Sequence, residues 1–411
     1  MLQVFLLNCI SHRANNIHQQ SLPEKIVAET DYASSFTAMV AGFKYTDPQE
    51  QLFFVTTCRT ALWKERDPYI VKAVECGLVP ELVTLLTKKG HPWLQFIAEL
   101  ALTHIVKYGM KQQPRDIADA DAPLSPRDIF DADALAFLIA LLASPYQDIY
   151  EKVVWALGYI AGTNTELRDT VLKAGVLPSL LSGLLWEPEH VEITRMVTWT
   201  LSNLCSGKIP AVELEAIQLA LVPLAQLLLS TTDSEVLINV ASAFSNISHG
   251  GYGKIDAVLK IGIVSSFSLL LAHTDTKVVT PVLRTFGNLV TGNDYQTQYV
   301  LEHCSLAVFC FLLGHDSAYI RKEASWTLSN ITAGTSVQIQ YVIDAFLIPP
   351  LVACMNDKEV QVQKEATWAL CNAVLGGNEE QVRWLVRKEL CVKALCDGLT
   401  TMKEVIKVIF S

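Results

Sequence analysis

The chain has 411 residues, 51% of them apolar, and its 32 basic residues against 42 acidic ones leave a formal charge of −10. That balance disfavours nucleic acid, which selects basic surfaces, and favours a basic partner. Mean hydropathy is high at +0.29, but the longest apolar stretch, residues 134–143, is about half of a ~20-residue bilayer span, so no membrane helix is expected.

Taken in chain order, residues 1–36 show no periodic pattern and are expected to be irregular. Their apolar start, MLQVFLLNCI, lacks the basic region that opens a secretory signal. From residue 37 to 411 the sequence reads as one helical array. A first unit opens at DPQEQLFFVTTC and reaches a turn before GLVPELVTLL, which starts at Gly77. Similar segments, each expected to pass through a Gly or Pro turn into a Leu-rich helix, follow from Gly175, Ala220, Gly262, Ser305 and Phe346. Between units, residues 109–133 hold three prolines and six aspartates, and this stretch is expected to be an exposed acidic insertion. The chain stops at KEVIKVIFS, partway into an expected further repeat.

A second signal runs in step with the first: an aromatic or its substitute, with an asparagine or its substitute four residues later. The pairs are Trp155/Tyr159, Trp199/Asn203, Ser242/Asn246, Arg284/Asn288, Trp326/Asn330 and Trp368/Asn372, their second members 44, 43, 42, 42 and 42 residues apart. So regular a period predicts an all-α solenoid of three-helix armadillo-type repeats, about eight with a truncated ninth. The pair falls on the third, longest helix of each unit, which Gly-containing ends such as AGT, TGN, TAGT and LGGN are expected to stop. Residues at i and i+4 share a helix face, so stacking turns the pairs into a ladder on one surface.

Such a ladder suits an extended basic peptide. Indole rings form slots for the aliphatic stems of Lys and Arg, with cation–π attraction of roughly 0.5–2 kcal/mol per contact. Asparagine amides both donate and accept, so one side chain can hold a peptide unit in both senses, and nearby carboxylates fix charge. Packing between helices would explain one such pair; a registered series argues for a surface.

The motifs KEASWTLSNITAG (322–334), KEATWALCNAVLGG (364–377), PVLRTFGNLVTGND (281–294), VVWALGYIAG (153–162) and TWTLSNLCSGK (198–208) resemble the third helices of the importin alpha family, the adaptors that recognise nuclear localisation signals. The resemblance runs from about residue 38 to the end and implies a right-handed superhelical armadillo solenoid with two peptide grooves. It implies a minor groove, over repeats six to eight, of Arg284, Asn288, Asp294, Glu323, Trp326, Asn330, Glu365, Trp368 and Asn372, with Val290, Thr291, Gly292 and Thr297 also matching. In the implied major groove, over repeats two to four, Trp155, Gly162, Trp199, Asn203, Glu235 and Asn246 remain. Leu100, His104, Tyr159, Thr163 and Asn239 depart from the family pattern there, and Lys107 adds positive charge, so weak binding is expected. Residues 1–50 hold only Arg13, Lys25 and Lys44 as basic side chains, whereas the family begins with a basic segment that binds importin beta. Coupling to importin beta, and to an export receptor that uses the last repeat, is therefore an open expectation.

Two functions remain in play: an adaptor for basic nuclear localisation signals, in cytoplasm and nucleus, chiefly through the minor groove; or a non-transport armadillo scaffold binding other peptides. An enzyme is not expected. The nine histidines show no catalytic or metal spacing, and there is no GxSxG, P-loop or HExxH. The ten cysteines contain no CxxC and read as reduced thiols of an intracellular protein, with no metal or cofactor implied.

Overall fold

The computed structural model describes residues 40–45, 47–64, 76–86, 88, 90–109, 132–143, 147–185, 191–207 and 209–387. The segment 1–36, nearly all of the acidic insertion and most of the truncated ninth repeat lie outside the described residues. All regular elements among the described residues are helical, and the chain divides into two compact units, Met1–Asp131 and Ala132–Ser411. In the first unit the helices Pro48–Lys64 and Leu78–Leu86 both pack on Pro92–Gly109. His104, on that last helix, is buried, which takes it out of any solvent-facing ladder.

The second unit holds the six paired helices: α1 (Gln147–Thr163), α2 (Val191–Leu204), α3 (Ser234–Ile247), α4 (Thr276–Leu289), α5 (Ala318–Thr332) and α6 (Val360–Gly376). Each packs on the next, forming one row, while shorter helices pack in a second layer behind them. The pattern of α4 shows why. Val278, Val279, Val282, Leu283 and Phe286 are buried at helical spacing, whereas on the opposite face Lys277 is exposed and Thr280 half-buried. Fully burying each such side chain stabilises by about 1.5–3 kcal/mol. Asp233 and Asp275 start α3 and α4 as N-caps, accepting from Val236 N at 3.0 Å and Lys277 N at 2.8 Å.

The expected Gly or Pro turn before each Leu-rich helix forms at Gly175 and Gly262, both with φ 79, and at Phe346 with φ 57. It does not form at Ala220, where Leu214–Ser230 runs as one helix through Pro223. The reason is local: every neighbour of Ala220 is an L residue without a left-handed conformation, so nothing breaks the helix. The glycine-containing ends stop the third helices as expected: α1 ends at Thr163, α4 at Leu289, α5 at Thr332 and α6 at Gly376, although neither Gly292 nor Gly334 has a positive φ.

Those last two glycines provide room instead. A Cβ at Gly292 would lie 2.3 Å from Gln296 Oε1, and Gln296 closes a capping box with Asn293. Gln296 Nε2 then donates to Tyr252 O at 3.0 Å, one repeat back. Gln338 and Gln381 repeat the arrangement, donating to Asp294 O at 2.7 Å and Ser336 O at 2.8 Å. The motif Gly-Asn/Thr-x-x-Gln thus links successive first helices.

Candidate peptide groove on the paired helices

Third helices approach closely enough for an indole of one to lie on a small residue of the helix before it. A Cβ on Gly158 would come within 2.5 Å of the Trp199 ring, and one on Gly287 within 2.2 Å of the Trp326 ring. Both glycines stand directly before the second member of their pair. Ser202, Ser245, Ser329 and Cys371 fill that position in the other units. This small residue was readable in the sequence but not recognised as part of the ladder; its invariant place beside the asparagine was the available signal.

The backbone carbonyl of the same small residue receives the carboxamide of the next repeat. Asn203 Nδ2 donates to Gly158 O at 3.0 Å, Asn288 to Ser245 O at 2.8 Å, Asn330 to Gly287 O at 3.4 Å and Asn372 to Ser329 O at 3.0 Å. These helical carbonyls gain a second partner, and each asparagine is held in one orientation. For Asn203, Asn330 and Asn372 the Oδ1 makes no hydrogen bond among the described residues, so it can accept an N–H from an extended backbone. Trp155, Trp199, Trp326 and Trp368 are all half-buried. The Trp199 and Trp326 rings rest on the glycines of the preceding helix, and none of the four is lost inside the helical packing.

In the minor segment the structure brings Arg284, Glu323 and Trp326 together. Arg284 Nη1 donates to Glu323 Oε2 at 2.7 Å, and its guanidinium lies 5.2 Å from the Trp326 ring centre. Lys322 Nζ sits 2.7 Å from Glu323 Oε1, close enough for an ion pair though not aligned as a hydrogen bond. Glu323 is expected to face the trough as a charge partner; at 0% exposure it instead serves two cations of its own protein. Glu365, half-buried, is the more accessible carboxylate. Burial pushes its pKa up, Lys364 and Lys322 pull it down, and Glu323 raises it further. Asp294 is exposed at the first position of the helix Asp294–His303, while Asn288 is buried, 5% exposed, and also donates to Ser248 Oγ at 3.1 Å. Thr297 is buried, and Thr291 and Gly292 reach the surface beyond the end of α4.

The major segment is arranged differently. The Trp155 and Tyr159 rings lie 5.6 Å apart and contact each other. Gly162 is exposed, and a Cβ there would press on the Asn203 carboxamide at 3.2 Å. Thr163 Oγ1 donates to Tyr159 O at 3.0 Å. Asn239 is buried, donating to Arg195 O at 3.2 Å and Thr198 Oγ1 at 3.3 Å, and so belongs to the packing rather than the trough. Glu235 is exposed but lies 3.6 Å from Arg195, which Asp233 holds with three hydrogen bonds and Glu192 with a fourth. The hydrogen bond from Arg195 holds the Asp233 carboxyl below the usual range. Asn246 is half-buried and borders an open recess with Ser242.

The armadillo/beta-catenin-like repeat family model matches residues 164–206, 293–333 and 335–374. Importin subunit alpha-2 of Arabidopsis thaliana is 40% identical over 232 residues, covering 56% of this chain and 40% of that protein. Importin subunit alpha-1b of Oryza sativa subsp. japonica is 38% identical over 248 residues, covering 60% and 42%. The matches thus span about two fifths of the length of these relatives. Among solved structures, an engineered protein superposes with a TM-score of 0.72 at 26% identity, covering 92% of this chain and 84% of that one. A designed armadillo repeat protein in complex with the peptide (KR)4 gives 0.54 at 28%, covering 58% and 99%.

Three-helix units in 42-residue register, stacked through their third helices, define an armadillo-repeat solenoid. Within that class, the similarity to plant importin alpha subunits is 38–40% identity over 232 and 248 residues. Over somewhat more than half of its length the chain is similar to importin alpha subunits, and it carries the armadillo repeats of the matching family model.

Proposed function

We propose that this protein is a nuclear import adaptor that binds the basic nuclear localisation signals of cargo proteins along its paired helices, chiefly at Trp326, Asn330, Glu365, Trp368 and Asn372. The observation that carries the reading is the set of half-exposed indoles, each flanked by a carboxamide whose donor is tied back and whose acceptor is open. Lys and Arg stems fit between the rings, and Glu365 supplies charge. Glu323 acts indirectly, by holding Arg284 over Trp326. The similarity to a designed armadillo repeat protein in complex with the peptide (KR)4 supports the same ligand class. Residence in both cytoplasm and nucleus, and coupling to importin beta, belong to this proposal; a pull-down of importin beta by the full chain tests the coupling.

The direct test is the affinity of a fluorescent Lys/Arg-rich signal peptide for the wild type and for Trp326→Ala/Trp368→Ala. Loss of two ring contacts at roughly 0.5–2 kcal/mol each predicts a fall of about five- to several-hundredfold. Equal affinities would remove the reading. One observation favours a second reading, a scaffold for other peptides: in the major segment Tyr159 packs on Trp155, and the position of a family aspartate is the buried Asn239. If the major segment binds polar uncharged peptides as tightly as basic ones, that reading gains.

A further inference from the structure

The row of indoles is interrupted. Between Trp199 on α2 and Trp326 on α5, the corresponding positions on α3 and α4 hold Ser242 and Arg284. Two open recesses of about 360 and 210 Å³ occupy this stretch, and both are bordered by Arg284, Asn288 and His249. The remaining lining includes Ser242 and Ser245, with Thr280 and Thr291, whose hydroxyls donate to backbone carbonyls, and neither recess is lined by a carboxylate. That is unusual in a protein of net charge −10.

Arg284 is prepared for a ligand rather than consumed by its own protein. It gives one N–H to Glu323, and its Nε and Nη2 make no hydrogen bond among the described residues. Its side chain is 30% exposed. Glu323 is matched by Lys322 as well, so Lys322, Arg284 and Glu323 together carry one positive charge. The Trp326 ring and the Glu323 carboxylate restrain the guanidinium, and its planar fork keeps Nε and Nη2 as donors without a partner among the described residues.

We propose that this recess takes the phosphate of a phosphorylated serine or threonine in the stretch of bound peptide that crosses between Trp199 and Trp326. The inference rests on the peptide-groove reading above and specifies what its central part recognises. A phosphate brings nearly two negative charges and three strong acceptor oxygens, which match the unspent guanidinium N–H groups and the surrounding hydroxyls. Two basic clusters on either side would occupy the indoles, and the phosphate would hold the spacer down.

The test uses the full chain and fluorescent peptides with two Lys/Arg clusters joined by a Ser/Gly spacer, each with phosphoserine at a different spacer position or none. The protein's overall negative charge, acting alone, makes every phosphopeptide bind more weakly than its parent. The recess predicts the opposite sign at one or two adjacent positions, with a gain of about tenfold or more from charge-assisted hydrogen bonds. That gain should disappear in Arg284→Lys, which keeps an ion pair with Glu323 but lacks the fork, and in Ser242→Leu, which fills the larger recess without touching a charge. Weaker or equal binding at every spacer position, with the parent peptide still bound, overturns the phosphate site and leaves the groove standing. A gain that both variants retain also overturns it, since the phosphate would then sit elsewhere. If no peptide of the series binds, the groove reading and the phosphate site fall together.

Discussion

Replacing Gly287 by alanine tests how the indole slots are built. The added Cβ would fall 2.2 Å from Cζ3 and 2.6 Å from Cε3 of Trp326, and 3.0 Å from Thr327 Oγ1. The near edge of a rigid bicyclic ring cannot yield by a rotamer flick, so either the indole tilts into the trough or α4 and α5 separate. Overpacking of this kind costs about 1–3 kcal/mol. Alanine also gains up to about 1 kcal/mol of helix propensity over glycine, which would mask part of the loss. Gly253→Ala supplies the correction: Gly253 is exposed, lies within the helix Tyr252–Lys260, and a Cβ there meets nothing within 4 Å. Gly287→Ala should therefore be less stable than Gly253→Ala by about 1–3 kcal/mol in urea unfolding followed by circular dichroism. Its Trp326 should also become more solvent-exposed by fluorescence quenching, and its affinity for a basic peptide should fall. Equal unfolding midpoints for the two variants would refute the idea that Trp326 rests on Gly287.

Three further outcomes follow from other contacts. Glu323→Gln should destabilise by about 3 kcal/mol in the same urea assay, because it leaves Arg284 and Lys322 facing a neutral buried group; no change would mean the ion pair is idle. Phe346→Gly should stabilise by about 1 kcal/mol, since Phe346 is 78% exposed and holds a left-handed φ of 57, so little packing is lost when the strain is released; a lower unfolding midpoint would contradict this. Glu365 has a folded pKa raised by burial, so its protonation favours the free folded state, and that contribution is lost as pH rises through the raised value. A cationic peptide needs the ionised form. Affinity measured by anisotropy should therefore climb as pH rises through and just above the ordinary carboxylate range, and Glu365→Gln should flatten that climb.

Much of the fold was readable because a 42-residue period repeats one solution many times. Each third helix carries its apolar face at helical spacing, and each pair lands in the same place, so errors at one unit are corrected by the next. The period could not reveal what happens where one unit lacks a breaker. Ala220 stands where its neighbours have glycine, and two short helices merge into Leu214–Ser230. Phe346 adopts a glycine-like φ that no residue preference would assign to it. At the candidate site, the positions of Trp326, Trp368 and their asparagines were evident from spacing. The burial of Glu323 was not, because Arg284 reaches it from 39 residues away in the preceding repeat. Nor was the direction of the carboxamides, which turn back to carbonyls 43 to 45 residues earlier.

The most direct measurement is fluorine NMR of the protein labelled with fluorotryptophan, its eight signals assigned by single Trp→Phe changes. On titration with a Lys/Arg-rich peptide, the signals of Trp326 and Trp368 should shift together and saturate at one affinity. The signal of Trp384, on the first helix of the following unit, should stay in place. A peptide that binds while the signals of Trp326 and Trp368 remain unmoved would contradict the claim that these rings form the groove.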